Sequence, residues 1–422
     1  MQRDAPHAVF LSYDGMTDPL GQSQVIPYLA GLVRQGYRIS IISFEKPAVF
    51  EQQRGTIQAL LDRSGIQWIP LSYTKSPPVL STVYDILRMY RTVLALHHRT
   101  PIQLLHARSY ISARVALTIG RKTGIPWLFD MRGFYADERV DGHLWPQSNP
   151  IFRSVYGYFK RRELDFLRES SAVISLTHAG KRFMETKLLP GLDSNKTRVI
   201  PCCADLDRFD YTRFAPADRD AVRKELGIDP NALVVVYSGS VGTWYMLDEM
   251  LQWFVELQKR RPDAVFIFLS AEQERISQRA VYFGIHNINL VIRKVVYAEM
   301  PRYLNCADLG LFFIVPTFSK QASSPTKMGE LMGMGIPLVC NSGVGDVGDI
   351  VQQSQCGIAL DVNDPEQMQA SVTQVESLLP LDKATIRQAA FRFYSLQAGI
   401  ETYAATYAQV LSPDKRNPDP KT

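Results

Sequence analysis

Residues 323–330, SSPTKMGE, bring hydroxyl, amine and carboxylate groups together within about two helical turns. Ser324 is a good N-cap residue, and Pro325 suits the first helical position, where its missing N–H is not needed. The free N–H groups and the positive dipole end of such a helix attract anions. Lys327 adds a mobile cation, and Glu330 lies three residues further along the same helical face. These groups would suit a ligand with phosphates at one end and a ribose diol at the other.

An ordinary surface helix with an i,i+3 ion pair is the alternative interpretation of this stretch. Three features favour the anion site, namely the helix cap, a mouth of small polar residues and the strand that follows. Gly335 suits a left-handed C-terminal position and Pro337 stops the helix, so PLVCN is expected to form a buried strand. The mouth of the helix consists of Ser323, Ser324 and Thr326.

Two further segments of small residues precede predicted helices. The segment YSGSVGTWY follows a clear strand pattern, and its small residues suit the close approach of a diphosphate. These residues are Gly239, Ser240, Gly242 and Thr243. The segment YDGMTDPLGQSQ places Gly21 and Gln22 in the loop after the first predicted strand. It lacks the GxGxxG pattern, so a turn glycine is the simpler explanation of Gly21 by itself.

Charged and titratable residues end two other predicted strands. His106 and Arg108 end QLLHAR, and Asp130 and Arg132 end PWLFDMR. Charges that emerge from an apolar strand are costly to bury unless they are paired or used in chemistry. A satisfied histidine and a structural Asp130–Arg132 pair are therefore the alternatives to catalytic roles. The acidic residues that follow contain no Asp-x-Asp pair, so we interpret them as a solvated loop without a metal: Asp137, Glu138 and Asp141.

Three segments resemble a known family. The run Ser-Pro-Thr-Lys-x-Gly-Glu from Ser324, followed by Gly-Ile-Pro-Leu-Val, is similar to the donor-nucleotide motif of retaining GT-B glycosyltransferases of family 4. VFLSYDGMTDPLGQSQVIPYLAGL, from Val9, resembles the first loop and helix of that family. VIPCCADLDRF, from Val199, resembles its interdomain segment. The likeness extends from about Val9 to about Tyr407.

This resemblance implies a nucleotide-diphosphate sugar as donor substrate, with no cofactor and no required metal. It places the loop of Gly21 and Gln22 at the donor phosphate and the acceptor, and it implies that His106 contacts the transferred sugar. The candidate catalytic residues are then His106, Asp130, Arg132 and Lys327. The candidate donor-binding residues are Gly21, Gln22, Gly239, Ser240, Gly242, Thr243, Ser323, Ser324, Pro325, Thr326, Lys327 and Glu330.

The chain departs from the family pattern in the segment after Gly239. Many members carry an Arg and a Lys there to neutralise the diphosphate, whereas here Trp244 and Tyr245 stand near the Lys position. Neutralisation would then depend on Lys327, with Lys320 as a second candidate.

The paired glutamates of the family are also incomplete in this chain. Glu330 matches the second glutamate, but Ala322 occupies the position of the first. The usual carboxylate that faces the donor sugar is therefore missing. The sequence does not say which group replaces it.

Apolar strand-like runs alternate with helical stretches, which indicates parallel sheets with crossover helices. The first series begins at Ala8, Arg38, Gln67, Gln103, Pro126, Ala172 and Thr197, and the second at Ala232, Ala264, Ile288, Leu309, Pro337 and Gly357. Two complete series exceed what one doubly wound sheet usually holds. We therefore predict an α/β protein in which two Rossmann-like domains face a central cleft, and the family resemblance implies that this is the GT-B fold.

The predicted domains follow from these series and from the resemblance. Residues 1–205 would form an acceptor-binding domain, and residues 206–395 a nucleotide-sugar-binding domain. In GT-B enzymes the last helix crosses back to the first domain, which the resemblance implies for residues 396–412. The remaining residues, 413–422, are polar and rich in proline and charge, so we expect a disordered tail.

Composition limits the class of protein and its partners. The 422 residues carry a net charge of +5, but residues 1–215 hold 28 Lys and Arg against 19 Asp and Glu. A basic first half suits an anionic membrane or a phosphate-bearing acceptor better than nucleic acid, because its aromatic residues are not interleaved with the basic ones. The five cysteines show no CxxC spacing, which indicates reduced thiols and a cytoplasmic protein. Contact with the inner face of the plasma membrane is a further hypothesis.

These observations predict a retaining glycosyltransferase that uses a nucleotide-diphosphate sugar and a hydroxyl acceptor, by analogy a lipid-linked or cell-surface glycan. A nucleotide-sugar epimerase is one alternative, since a related two-domain fold supports that reaction. A non-catalytic sugar-nucleotide-binding subunit is another, and the missing glutamate and diphosphate cations favour it. A nicotinamide dehydrogenase is the weakest alternative, because neither domain opens with GxGxxG.

Overall fold

The computed structural model describes residues 5–412. Within this range the chain forms two compact units. The first unit runs to Pro201 and resumes at Leu396, and the second comprises Cys202–Ser395. The predicted tail at residues 413–422 lies outside the described residues.

The first unit contains a seven-stranded sheet in which all neighbouring strands are parallel. Its strand order is β3-β2-β1-β4-β5-β6-β7. The strands are β1 His7–Ser12, β2 Arg38–Glu45, β3 Gln67–Ser72, β4 Leu104–Arg108, β5 Trp127–Asp130, β6 Ala172–Ser175 and β7 Thr197–Val199. The central strands are buried along their whole length, which explains why their sequences are continuous apolar runs without alternation.

Helices connect these strands. They are α1 Pro19–Gln24, α2 Ile26–Arg34, α3 Pro47–Arg63, α4 Leu80–Arg99, α5 Ser109–Thr123, α6 Tyr135–Asp141, α7 Pro150–Glu169 and α8 His178–Phe183. Helix α6 occupies the segment that the sequence predicted to be a solvated loop, and the prediction is wrong in particular for Asp137. Asp137 is buried and accepts hydrogen bonds from the Tyr156 hydroxyl (2.9 Å) and Lys160 Nζ (2.8 Å).

The second unit contains a six-stranded parallel sheet of order β10-β9-β8-β11-β12-β13. Its strands are β8 Val234–Ser238, β9 Val265–Leu269, β10 Leu290–Arg293, β11 Leu309–Phe312, β12 Leu338–Asn341 and β13 Gly357–Leu360. Its helices are α9 Pro216–Glu225, α10 Leu247–Gln258, α11 Gln273–Tyr282, α12 Met300–Leu304, α13 Thr326–Gly333, α14 Val347–Ser354, α15 Pro365–Thr373, α16 Val375–Leu378 and α17 Lys383–Tyr394. The prediction of an α/β protein with two parallel Rossmann-like sheets is confirmed, because each predicted strand run overlaps an observed strand.

The last helix, α18 Leu396–Leu411, belongs to the first unit and packs on α2. A glycine at position 31 allows this contact, because a β-carbon there would lie 2.4 Å from Cδ1 of Ile400. The rings of Tyr28 and Tyr403 meet edge to face, with centroids 5.5 Å apart. The Tyr37 hydroxyl donates to the carbonyl oxygen of Ala404 at 3.2 Å. Helix α18 is therefore an integral part of the first unit.

The strand order reverses next to the first strand of each sheet, between β1 and β4 and between β8 and β11. Ligands of open parallel sheets bind outside the carboxyl ends of the strands at such a reversal. The segments that follow β1 and β4 in one unit, and β8 and β11 in the other, are thus the places to look for a site.

Candidate functional site

The start of helix α13 follows β11 and lies one residue later than the sequence predicts. Helix α13 begins at Thr326, and Pro325 occupies the N-cap position with an extended backbone. Ser324 is therefore not the N-cap, and its hydroxyl oxygen instead accepts a hydrogen bond from the Cys202 N–H at 3.2 Å. Ser323 donates its N–H to the carbonyl oxygen of Lys320 at 3.1 Å. Ser323, Ser324 and Thr326 are all half-buried. The predicted left-handed end of the helix is confirmed, with φ +66° at Gly335.

Lys327 is a buried amine and not the mobile cation that the sequence suggested. It is 7 % exposed, and its Nζ has no hydrogen-bond partner in the part of the chain that the structure describes. Nζ lies 3.9 Å from the ring centroid of Tyr237 and 3.7 Å from that of Tyr245. Burial lowers the pKa of Lys327 well below its ordinary value, and the charge of Glu330 only partly opposes this. The aromatic faces stabilise a cation without satisfying its N–H donors.

Glu330 is buried one turn further along the helix. Its Oε1 accepts a hydrogen bond from the Tyr297 hydroxyl at 3.0 Å. Burial raises the pKa of Glu330 to about 7, although the Tyr297 hydrogen bond and the nearby charges of Lys327 and Arg208 act in the opposite direction. The i,i+3 ion pair with Lys327, which was the alternative interpretation, is not among the ion pairs of residues 5–412. Both groups thus remain able to bind a ligand.

The glycine loop after β8 lies against Lys327. Gly239 has φ +113°, and a β-carbon at this position would lie 3.3 Å from Lys327 Nζ. Gly239, Ser240 and Thr243 are exposed, so the loop presents its backbone to solvent next to a buried amine. The structure therefore brings together Gly239 and Lys327, two of the predicted donor-binding residues.

Two side-chain contacts fix the same loop. The Tyr237 hydroxyl donates to the carbonyl oxygen of Ser240, and the Val241 N–H donates to Glu272. A β-carbon at Gly242 would lie 3.3 Å from Glu272 Oε1, which leaves room only for glycine without adjustment. The loop is thus held at Ser240 and Val241, while Thr243, with φ +41°, is exposed.

Several aromatic residues of this site were missed by the sequence reasoning. Lys320 is buried, and its Nζ lies 3.6 Å from the ring centroid of Trp244. In the sequence, Trp244 and Tyr245 stand out only as departures from a family pattern. In the structure, the ring of each lies against the amine of a lysine. The contact of Tyr297 with Glu330 had no signal in the sequence, because the two residues are distant along the chain.

The remaining candidate catalytic residues lie in the first unit, at the ends of β4 and β5. The His106 Nδ1 lies 2.7 Å from the Tyr407 hydroxyl, and Nε2 lies 3.4 Å from Asp130 Oδ2. The Tyr403 hydroxyl donates to the same Asp130 oxygen at 3.1 Å. Arg132 Nη1 approaches Asp130 Oδ1 at 3.9 Å. His106 and Asp130 are both buried, so His106, Asp130, Arg132 and the two tyrosines of α18 form one network.

The charges of this network stabilise one another. Burial lowers the pKa of His106, and Arg108 and Arg132 act in the same direction, while Asp130 opposes them. Burial alone would raise the pKa of Asp130, but Arg132, His106 and Arg108 together hold it below its ordinary value. A neutral histidine beside an ionised aspartate is therefore expected at neutral pH. Both ring nitrogens of His106 have partners, which favours a positioning role over direct sugar contact.

Gly21 and Gln22 lie in helix α1 and not in the loop that the sequence predicted. A β-carbon at Gly21 would lie 2.4 Å from the carbonyl oxygen of Gly15, so the glycine is explained by close backbone packing. The Gln22 side chain donates to the Thr17 carbonyl at 3.2 Å and to Gln53 at 2.9 Å. These contacts make the segment after β1 compact, and a donor contact from Gly21 or Gln22 stays a prediction.

Two family models match this chain. Glycosyltransferase Family 4 matches residues 21–208, and Glycosyl transferases group 1 matches residues 218–391. A similar relative is D-inositol 3-phosphate glycosyltransferase 2 of Catenulispora acidiphila, 23% identical over 64% of this chain and 62% of its own length. The match thus spans less than two thirds of that relative.

Solved structures share the fold at low identity. A glycosyltransferase from Rickettsia africae has a TM-score of 0.71 at 14% identity and covers 97% of this chain and 99% of its own. Anabaena Alr3699/HepE, solved in complex with UDP and glucose, has a TM-score of 0.69 at 16% identity, with coverages of 95% and 99%. At such identities the likeness shows the two-sheet GT-B fold.

Proposed function

Because the chain belongs to the glycosyltransferases of family 4 and group 1, we propose that it transfers a sugar from a nucleotide-diphosphate sugar to an acceptor hydroxyl, with retention of configuration. The observation that carries this proposal is a buried Lys327, whose Nζ has no hydrogen-bond partner in the described part of the chain, beside the exposed loop of Gly239. A buried amine without a partner is costly, and an anionic ligand would remove that cost.

The second unit would hold the donor. The diphosphate would lie between the Gly239 loop and the start of α13, where backbone N–H groups, Lys327 and Lys320 neutralise it. Glu330 would accept hydrogen bonds from the ribose hydroxyls, held in place by Tyr297. A bound diphosphate would also raise the pKa of Lys327, because a nearby anion favours the charged amine.

The chemistry would be largely electrostatic. The bond between the anomeric carbon and the diphosphate oxygen breaks, the acceptor oxygen bonds to the same face of that carbon, and its proton passes to the departing diphosphate. Lys327 and the helix start stabilise the charge that develops on the leaving group. The sugar would be positioned from the first unit, with His106, Asp130 and Arg132 acting as one network. We assign no metal and no further cofactor to this reaction.

The first unit would bind the acceptor, a glycan or a lipid-linked compound. The basic charge of the first half of the chain and a relative named for D-inositol 3-phosphate both support an anionic acceptor. We place the reaction in the cytoplasm, with contact to an anionic membrane surface through the first unit. No helix among residues 5–412 is both long and apolar enough to cross a bilayer.

A non-catalytic nucleotide-sugar-binding subunit is the second candidate. One observation favours it, since a buried Ala322 stands at the position where the family resemblance implies a carboxylate. Such a subunit would bind the nucleotide diphosphate at Lys327 but would not turn over any donor.

The test compares two i,i+3 Lys and Glu pairs in transfer and donor-hydrolysis assays. Lys327→Ala and Glu330→Ala should each lower turnover at least tenfold. The control variants Lys259→Ala and Glu256→Ala remove a surface pair with its nitrogen and oxygen 2.5 Å apart, and they should keep full activity. Wild-type rates in both site variants would contradict the proposal, and nucleotide binding without turnover in the unaltered protein would support the second candidate.

A further inference from the structure

A pocket of about 570 Å³ lies at the carboxyl edge of the sheet in the first unit. Tyr13 and Asp14, which follow β1, and Arg108, which ends β4, line it. These strands flank the reversal of strand order, where open parallel sheets bind ligands. The volume is that of a typical small-molecule site. The pocket belongs to the first unit alone and contains none of the donor-binding residues.

Aromatic side chains form one wall of this pocket. Trp145 stacks on Phe159 with ring centroids 5.8 Å apart, and Tyr135 meets Trp145 edge to face at 5.6 Å. Phe152 and Tyr158, from α7, extend the same wall. Most of the wall is therefore apolar surface that an apolar ligand group would cover.

The floor of the pocket carries a buried cation. Arg108 is only 5 % exposed, and its Nε has no hydrogen-bond partner among residues 5–412. Asp14 Oδ2 lies 3.5 Å from this atom, but the Asp14 side chain is 53 % exposed and can turn towards solvent. Lys75 and Arg139 also line the pocket, so its charged lining residues are three cations and one anion. An anionic group is the complement of this floor.

In the first half of helix α4, beside the pocket, polar side chains are buried and apolar side chains face solvent, the reverse of an ordinary surface helix. The first half of α4 buries polar Ser81 and Asp85, and Asp85 accepts hydrogen bonds from the Tyr13 hydroxyl and from Thr74. The outward stripe of the same half is apolar and exposed, at spacing i, i+3, i+4 and i+7, and consists of Leu80, Val83, Tyr84 and Leu87. Leu144 and Ile151 are also exposed, and each directly precedes an aromatic lining residue in the sequence, Trp145 and Phe152.

We propose that this pocket binds a phosphorylated lipid, with the phosphate on Arg108 and the hydrocarbon chain along the aromatic wall and the apolar stripe of α4. The proposal rests on the proposed function, for which it names the acceptor class. Aromatic rings alone would also suit a free sugar phosphate. The exposed leucines, valine and isoleucine do not stack on sugars, and such a patch on a protein surface is typical of contact with lipid.

The test measures binding of farnesyl phosphate to the full chain by titration calorimetry, with farnesol and glycerol 3-phosphate as the two halves of the probe. Farnesyl phosphate should bind at least tenfold more tightly than either half. Arg108→Gln should weaken its binding at least tenfold, and the double variant Leu80→Ser/Leu87→Ser should weaken it about fivefold. The matched controls Arg54→Gln and Leu60→Ser change exposed residues of α3 and should leave the affinity unchanged.

Equal affinity for glycerol 3-phosphate would identify a sugar-phosphate site and overturn the proposal, as would an unchanged affinity in Arg108→Gln. If thermal unfolding shows that Arg108→Gln is not folded, the affinity of Asp14→Asn for farnesyl phosphate tests the proposal instead. Removing the competing carboxylate should tighten binding about threefold, and no change would contradict the proposal. UDP and GDP binding is measured on the same samples. Loss of nucleotide binding with farnesyl phosphate binding retained would refute the proposed function and leave the lipid pocket standing.

Discussion

His106 and Lys327 are buried titratable side chains that lie near the carboxyl edges of two sheets of similar strand order. The two ring nitrogens of His106 contact Tyr407 and Asp130. Lys327 Nζ instead lies against two aromatic rings and has no hydrogen-bond partner within residues 5–412. Folding compensates the burial of the first group but not that of the second, which we propose a ligand compensates. A buried polar group therefore indicates a binding site only when the protein itself does not satisfy it.

His106→Ala tests the satisfied side of this comparison and should have the largest effect. The change leaves a cavity and removes a hydrogen-bond partner from the buried Asp130 charge, so the first unit should lose about 3–5 kcal/mol of unfolding free energy. Urea unfolding measures this, with His98→Ala at an exposed position as the control. Nucleotide binding should persist. An unchanged stability with loss of transfer would instead support the direct sugar contact that the family resemblance implies.

Lys327→Met tests the other half of the comparison, the buried amine whose hydrogen bonds the described residues do not satisfy. The substitution replaces a buried, unpartnered amine by an apolar side chain of similar length, so the melting temperature should stay equal or rise. Turnover should fall about a hundredfold, because a charge that stabilises the leaving group is lost. Thermal unfolding and a donor-hydrolysis assay check the two effects, with Lys259→Met as the surface control. A fall in melting temperature would show that Lys327 is structural, and the comparison would fail.

The pH dependence of nucleotide binding should give the smallest effect. Because burial raises the pKa of Glu330 from 4.5 to about 7, the folded protein holds a proton that the unfolded chain releases. The stability from this proton is fully present below about pH 4.5 and is lost as the pH rises through 7. Ribose binding needs the ionised carboxylate, so affinity should rise about tenfold between pH 6 and pH 8. Calorimetry on Glu330→Gln should give a flatter profile, and Glu256→Gln should keep the slope.

The fold could be predicted because its signals are local. Parallel strands buried on both faces are continuous apolar runs, such as Val234–Ser238, and turns such as Gly335 are specified by single residues. The order of the runs along the chain then indicated two separate sheets. The family resemblance supplied the GT-B arrangement that apolar patterns alone do not specify.

The state of the site could not be predicted, because it depends on distant parts of the chain. Ser324 looked like a helix cap, but its hydroxyl accepts from Cys202 in another segment. The sequence suggests a mobile cation at Lys327, but its burial depends on Tyr237 from β8 and Tyr245 from the loop that follows. Spacing along a helix identifies which groups share a face, but it does not say what covers that face.

Helix α18 has a consequence for how the protein folds during synthesis. Tyr403 and Tyr407 complete the surroundings of Asp130 and His106, yet the whole second unit is translated between these two parts of the chain. On the ribosome, Cys202–Ser395 can become compact as soon as it emerges. In the earlier sheet, His106 and Asp130 lack their tyrosine partners until α18 has been synthesised. The unit that is made first is thus the one that is completed last.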